Sequence, residues 1–203
     1  MRVLPCADSG LLVEVDDLPA VQALHAALAD DPPRGVVDLV PAARTLLLQL
    51  DPERADPDHV ERVVRGTRPG QGSQHDEGLL RVPVVYDGED LAEVARLTGL
   101  TERQVVDEHT AREWTVAFSG FAPGFGYLAG GSQRLEVPRR QESRTRVPAG
   151  SVALAGEFSG IYPSPSPGGW QLIGRTELET FRLDREPPAL LRPGVRVQFY
   201  EVS

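Results

Sequence analysis

From residue 113 onward, every sustained apolar run is short and ends near a Gly or a Pro. The runs fall at 115–118, 151–155, 170–173 and 195–200. None is long enough to lay an apolar stripe along a helix, so this half of the chain must bury its side chains from strands. In the last run Val195, Val197 and Phe199 alternate with Arg196, Gln198 and Tyr200, as a strand covered on one face requires. Many short strands separated by turn residues close as a barrel or stack as a sandwich.

The first third is patterned differently. A short strand is expected at 11–15. Pro19 then opens a helix in which Val21, Leu24 and Leu28 recur at three and four residues, and DPPRG at 31–35 stops it. Two apolar runs, 36–40 and 45–50, form a hairpin around Pro41-Ala42-Ala43-Arg44. A second helix fits 58–65, with Val60, Val63 and Val64 on one face. The order strand–helix–strand–strand–helix makes a small split sheet backed by two helices. Residues 66–78 (GTRPGQGSQHDEG) are polar, Gly-rich and without periodicity, which reads as a linker. A strand at 79–86 and two helices follow. The first, 90–98, is closed by Gly99, and the second starts at Thr101 with Gln104 completing a capping box. The expectation is an α+β chain, with an N-terminal α+β domain over 1–72 and a β-barrel domain over 79–203.

Several functions are excluded by what is missing. All 21 basic residues are Arg. Without Lys there is no Schiff-base nucleophile, no biotin attachment point and no P-loop cation. Cys6 stands alone, so no internal disulfide forms. His25, His59, His75 and His109 are scattered, and no metal site is expected. There is no Gly-x-Ser-x-Gly elbow and no His-Glu-x-x-His. No run is long enough for a signal peptide or a membrane span, so the expected location is the cytoplasm. Net charge is −9, divided between −11 for residues 1–111 and +2 for 112–203. The acidic part speaks against nucleic acid, and the mildly basic part is where an anionic ligand belongs.

Three segments of that basic part could carry chemistry. Residues 118–131 (FSGFAPGFGYLAGG) hold five glycines, Gly124 among them, together with Phe121, Phe125 and Tyr127. Such a loop cradles a small ligand with backbone N–H groups between aromatic walls, or is a surface loop pinned by its rings. Residues 134–146 hold Arg134, Arg139, Arg140, Arg144 and Arg146 against Glu136 and Glu142. Guanidinium forks suit carboxylate or phosphate, although a solvated face is the alternative for any one of them. Residues 162–174 (YPSPSPGGWQLIG) place Ser164 and Ser166 before Gly168 and Gly169, a turn able to present donors to an oxyanion or simply to lead into a strand. His109, near a helix end, suits proton transfer or packing.

The same residues carry a resemblance. His109, the FSGFAPGFGYL run, PRR at 138–140, RTRVPAGSVALAG at 144–156 and GIYPSPSPGGWQLIGRT at 160–176 resemble the KipI family, also called allophanate hydrolase subunit 1. It includes the B subunit of bacterial ATP-dependent 5-oxoprolinase. GLLVEV at 10–15 and GVVDLVPAARTLLL at 35–48 are similar to its first domain. The resemblance implies a cyclophilin-like β-barrel after a small α+β domain. It implies two partners: a sister subunit of the KipA or allophanate hydrolase subunit 2 type, and a barrel-type third subunit. The implied reaction opens 5-oxoproline, a small carboxylate, to glutamate. The cofactor is ATP with its Mg, held by this chain or a partner. On this basis Arg139, Arg144 and Arg146 bind the anion, and Phe121, Gly124, Phe125 and Tyr127 form the ligand wall. Gly168 and Gly169 supply donors, and Ser166 and His109 are the catalytic candidates. Two other functions follow from the family: a carboxyltransferase half of an allophanate or urea system, and a KipI-like inhibitor of a histidine kinase.

Overall fold

The aliphatic runs of the first third meet in one small antiparallel sheet. In the computed structural model, which describes residues 1–67 and 77–203, the chain divides into two compact units, Met1–His75 and Asp76–Ser203. Residues 68–76, most of the expected linker, lie outside the described residues.

The first unit contains β1 (Arg2–Pro5), β2 (Gly10–Glu14), α1 (Leu18–Asp30), β3 (Val36–Pro41), β4 (Thr45–Leu50) and α2 (Pro57–Gly66). The sheet order is β1-β2-β4-β3, so β4 separates β2 from β3 and the sheet is split as expected. Asp17 and Asp56 cap the two helices, accepting N–H bonds from Ala20 and from Asp58 and His59. Alternate residues of β2 and β4, Leu11, Val13, Leu46, Leu48 and Leu50, meet Val21, Leu24, Leu28, Val60 and Val64 of the helices in one buried core. The edge strand β1 has no counterpart in the sequence reading. It is four residues long and largely exposed, so it carries no alternation to read.

The second unit begins with β5 (Leu79–Val84), α3 (Leu91–Thr98), α4 (Glu102–Thr110), β6 (Trp114–Ser119) and β7 (Gly126–Ala129). A single 3₁₀ turn at Gln133–Leu135 precedes β8 (Arg144–Val147), β9 (Ser151–Ala155), β10 (Phe158–Ile161), β11 (Ser166–Gly168), β12 (Gln171–Arg175) and β13 (Arg196–Glu201). Gly99 takes the left-handed conformation (φ 70°) after α3, and Thr101 and Gln104 form the expected capping box. Seven strands form one sheet in the order β12-β9-β10-β7-β6-β13-β5. Val85 and Arg175 exchange two N–H···O bonds of 2.9 Å, bringing the two edges of that sheet together into a nearly closed barrel. β13 runs parallel to β5 and antiparallel to β6.

The two faces of this sheet bury different sets of side chains. Val152 and Leu154 of β9 and Ile161 of β10 face the interior with Val82, Val116, Leu128, Ile173, Val197 and Phe199. Ala153, Ala155 and Phe158 face the other way, toward Phe125, Tyr162, Trp170 and Leu172. The β8–β11 ribbon, carrying Val147, packs on that second face. No described helix is long and apolar enough to cross a membrane.

Candidate functional site

The second face of the barrel sheet carries a group of seven aromatic rings, and most of the residues expected at a site converge on it. Phe125 packs edge-on to Tyr127 (5.1 Å between centroids), Tyr162 (5.5 Å) and Trp170 (5.4 Å). Tyr127 stacks on Phe118 at 4.4 Å and meets Phe158 at 5.7 Å. Gly160 of β10 makes this packing possible. A Cβ there would lie 2.8 Å from Cζ of Phe125 and 3.1 Å from Cζ3 of Trp170. Gly160→Ala is therefore expected to cost about 1–3 kcal/mol by overpacking, read from the urea midpoint.

Phe121 stands apart from the other rings. It is 58% exposed, and its backbone φ of 67° is one that side-chain-bearing residues rarely adopt. Its ring sits edge-on above Phe125 at 5.3 Å and Tyr162 at 6.0 Å. The turn is closed by Ala122 N–H to Gly120 O and Phe125 N–H to Ala122 O. Gly124, at φ 81°, leaves the room that the Phe121–Phe125 turn needs against Phe181.

A polar edge adjoins the rings. Gly168 of β11 pairs in register with Arg144 of β8, and its missing side chain makes room for the Tyr162 hydroxyl. Burial pushes the Tyr162 phenol above its ordinary range. The hydrogen bond from the Trp170 backbone and the nearby positive charges of Arg139 and Arg144 pull the other way. Arg144, with its side chain only 15% exposed, donates to Glu89 (3.0 Å) and to Asp90 Oδ1 (2.9 Å). Arg140 donates to the same Asp90 oxygen at 2.6 Å, and Leu172 N–H donates to Asp90 Oδ2 at 2.7 Å. Burial works against the Asp90 carboxylate. The bonds from Arg144 and Leu172 and the two guanidinium charges outweigh it, and the carboxyl titrates below its ordinary value. Nη1 of Arg144 is buried and donates to no acceptor among the described residues.

The remaining expected residues divide. Gly169 lies against Ser143, and its carbonyl accepts the Arg140 N–H at 2.7 Å. Arg146 is exposed on β8, and Arg139 is exposed beside α3. Ser166 sits on β11, and its hydroxyl donates to Ser164 O. His109 does not join them. It is fully buried in the barrel interior, tilted against Phe199 with centroids 4.3 Å apart, with Nδ1 2.8 Å from the Tyr86 hydroxyl and Nε2 2.9 Å from Ser159 Oγ. Burial lowers its pKa to about 3. Ser159 meets it from β10, whose neighbouring Phe158 faces the aromatic side, so the sheet itself separates His109 from the rings. Desolvation removes the near-neutral titration that suits an ordinary imidazole to proton transfer.

Sequence reasoning does not single out Asp90, Phe158, Tyr162 or Trp170. Asp90 is read only as the first residue of a helix, yet its side chain gathers two arginines from 50 and 54 positions away. Among the described residues no group of three or more His, Cys, Asp or Glu is placed to hold a metal ion.

Residues 1–191 match the family described as Carboxyltransferase domain, subdomain C and D. The chain is 44% identical over 168 residues to the 5-oxoprolinase B subunit of Escherichia coli O157:H7, covering 81% of this chain and 77% of that protein. The crystal structure of TTHA0988 matches with a TM-score of 0.78 at 39% identity, over 96% of this chain and 40% of that one. This chain thus spans less than half of that longer protein. The fold alone is shared with the urea carboxylase of Kluyveromyces lactis, at 17% identity and a TM-score of 0.75, over 99% of this chain and 22% of that one. With nearly its whole length inside the family match and a curated relative at 44% identity over most of both proteins, the chain belongs to the carboxyltransferase subdomain C and D family, alongside the B subunits of 5-oxoprolinase.

Proposed function

We propose that this chain is the B-type subunit of a cytoplasmic, ATP-dependent 5-oxoprolinase that opens 5-oxoproline to glutamate. It works with a sister cyclophilin-like subunit of the KipA type and a barrel-type third subunit. The observation that carries the proposal is the likeness to the 5-oxoprolinase B subunit of Escherichia coli. The aromatic face with its cationic edge supports it chemically.

A lactam is a poor electrophile, and its opening needs negative charge on the amide oxygen to be stabilised by fixed donors away from water. Arg144 is suited to this. Asp90 and Glu89 hold its guanidinium rigid, and one N–H pair is left over. Arg139 and Arg146, exposed and without a carboxylate partner among the described residues, suit the substrate carboxylate or a nucleotide's phosphates. ATP, when bound, supplies the phosphoryl group that activates the amide oxygen. Phe121, Phe125 and Tyr127 exclude water from one side, and the Tyr162 hydroxyl beside Gly168 offers a further donor. Ser166, on the same ribbon as Gly168, is the remaining hydroxyl of the expected set. His109 contributes by packing and takes no proton from substrate.

The test is co-expression with the neighbouring genes and measurement of 5-oxoproline-dependent ATP hydrolysis and glutamate release. The complex turns over and this chain alone does not. Tyr162→Phe, which keeps the ring and removes the hydroxyl, lowers kcat of the complex by about tenfold, or 1.4 kcal/mol in the barrier. Unchanged kcat would remove this face from the chemistry. The family description favours one alternative, a carboxyltransferase half acting on a urea-type substrate. Lacking Lys, the chain would need a separate biotin carrier, so biotin-dependent carboxylation in place of glutamate release identifies that case.

A further inference from the structure

A groove beside the 138–142 segment has its own chemistry. Its volume is about 580 Å³, and it lies between α3 and that segment. Two of its arginines are already occupied: Arg96 by Glu93, at 2.6 Å, and Arg140 by Asp90, at 2.6 Å. Arg139 and Glu142 are not. Both are exposed in the groove lining, and neither pairs with an opposite charge among the described residues. The third open group is Gln171. It is only 4% exposed, its amide N–H donates to Pro138 O at 3.1 Å, and its buried Oε1 accepts no hydrogen bond among the described residues. Buried acceptors are rarely left open, so the orphan marks a missing donor.

One free cation, one free anion and one unsatisfied acceptor define a ligand class. A simple anion meets Arg139 but is opposed by Glu142, and a simple amine meets the reverse. A zwitterion satisfies both, its carboxylate matching the guanidinium fork and its ammonium carrying three N–H donors for Glu142 and Gln171. Leu97 and Pro138 offer an apolar wall for the methylenes between. We infer that this groove binds a free α-amino acid. The class of ligand follows from the groove, while the choice of glutamate rests on the 5-oxoprolinase proposal. The distinction from substrate is sharp. 5-Oxoproline has a carboxylate and an amide N–H but no positive charge, and ring opening creates the ammonium that the groove selects. The groove is therefore a product site, lined by none of the aromatic rings.

Calorimetry on the purified full chain tests this with L-glutamate, glutarate, which lacks the ammonium, and 5-oxoproline. Glutamate gives a saturable isotherm, and the other two bind at least about tenfold more weakly. Arg139→Ala weakens glutamate by about tenfold, and Glu142→Gln brings glutamate and glutarate close to parity. Both residues are exposed, so these variants fold. Gln171→Met weakens glutamate, and its thermal midpoint is recorded alongside because the bond to Pro138 O is lost as well. No saturable glutamate binding, or binding indifferent to Glu142→Gln, overturns the inference. Turnover of 5-oxoproline by the assembled complex is measured separately. Glutamate binding without turnover defeats the oxoprolinase proposal and keeps the groove; turnover without glutamate binding defeats the groove alone.

Discussion

Asp90→Ala is expected to lower the unfolding free energy of the second unit by about 3–5 kcal/mol, the cost of removing one partner from a buried ion network. The carboxylate is almost sealed from solvent, with a side-chain exposure of 4%. One of its oxygens serves Arg140 and Arg144, and the other is the acceptor for Leu172 N–H in β12. The substitution leaves two guanidinium groups short of a counter-charge and one strand amide without a partner. Asp90→Asn keeps an acceptor for Leu172 but no charge, so its cost falls between parent and Ala. Urea denaturation monitored by Trp114 and Trp170 fluorescence reads both. A loss below about 1 kcal/mol would mean that the network behaves like an exposed surface pair. The same network changes what Arg144→Ala can report. That variant removes a donor from the proposed site and also exposes Asp90, so lost turnover must be compared with lost stability before a role in chemistry is assigned.

Acid sensitivity is the second large effect, and it comes from His109. In the folded chain its pKa falls to about 3 because it is buried, against an ordinary 6.5 when unfolded. The folded-state value is depressed, so the unfolded chain binds the proton first. The contribution of His109 is intact above pH 6.5 and is lost as pH falls toward 3. The slope is about 1.4 kcal/mol per pH unit. Between about pH 6.5 and 5, where the carboxylates are still ionised, about 2 kcal/mol should disappear. His25 shifts in the same direction, through burial opposed by Asp38, so the diagnostic quantity is a difference between variants. His109→Gln should show a flatter pH dependence than the parent over this window. Equal slopes would mean that the imidazole is reached by water in the native state.

What can be read from the sequence is local. The capping box of Thr101 and Gln104, the left-handed Gly99 and the alternation in β13 each depend on residues within a few positions of one another. The strands β7, β8, β10 and β11 escape such a reading, because each has only three or four residues and is interrupted by glycine or charge. The site is half legible. Phe121, Phe125 and Tyr127 share one loop, and Gly168 announces close approach. The reason for Gly168 is the Tyr162 hydroxyl, and only the folded chain brings Arg144 opposite it. Asp90 and Gln171 give no signal at all. Their roles depend on partners in other strands and on a lone pair left open, and neither follows from neighbours in sequence. His109 misleads for a related reason: a helix position says where a ring begins, while burial on the far side of a sheet decides what it can do.

The pairing of β5 with β13 sets the order in which this unit can be made. The strand that enters the barrel first waits beside an empty edge until the strand that enters last has emerged from the ribosome. Until then Val82 and Val84 have no Val197 or Phe199 to bury them, and the edge that will accept β13 is open to any extended chain nearby. A copy that lacks β13 therefore presents Val82 and Val84 on an open strand edge, the arrangement that invites edge-to-edge association.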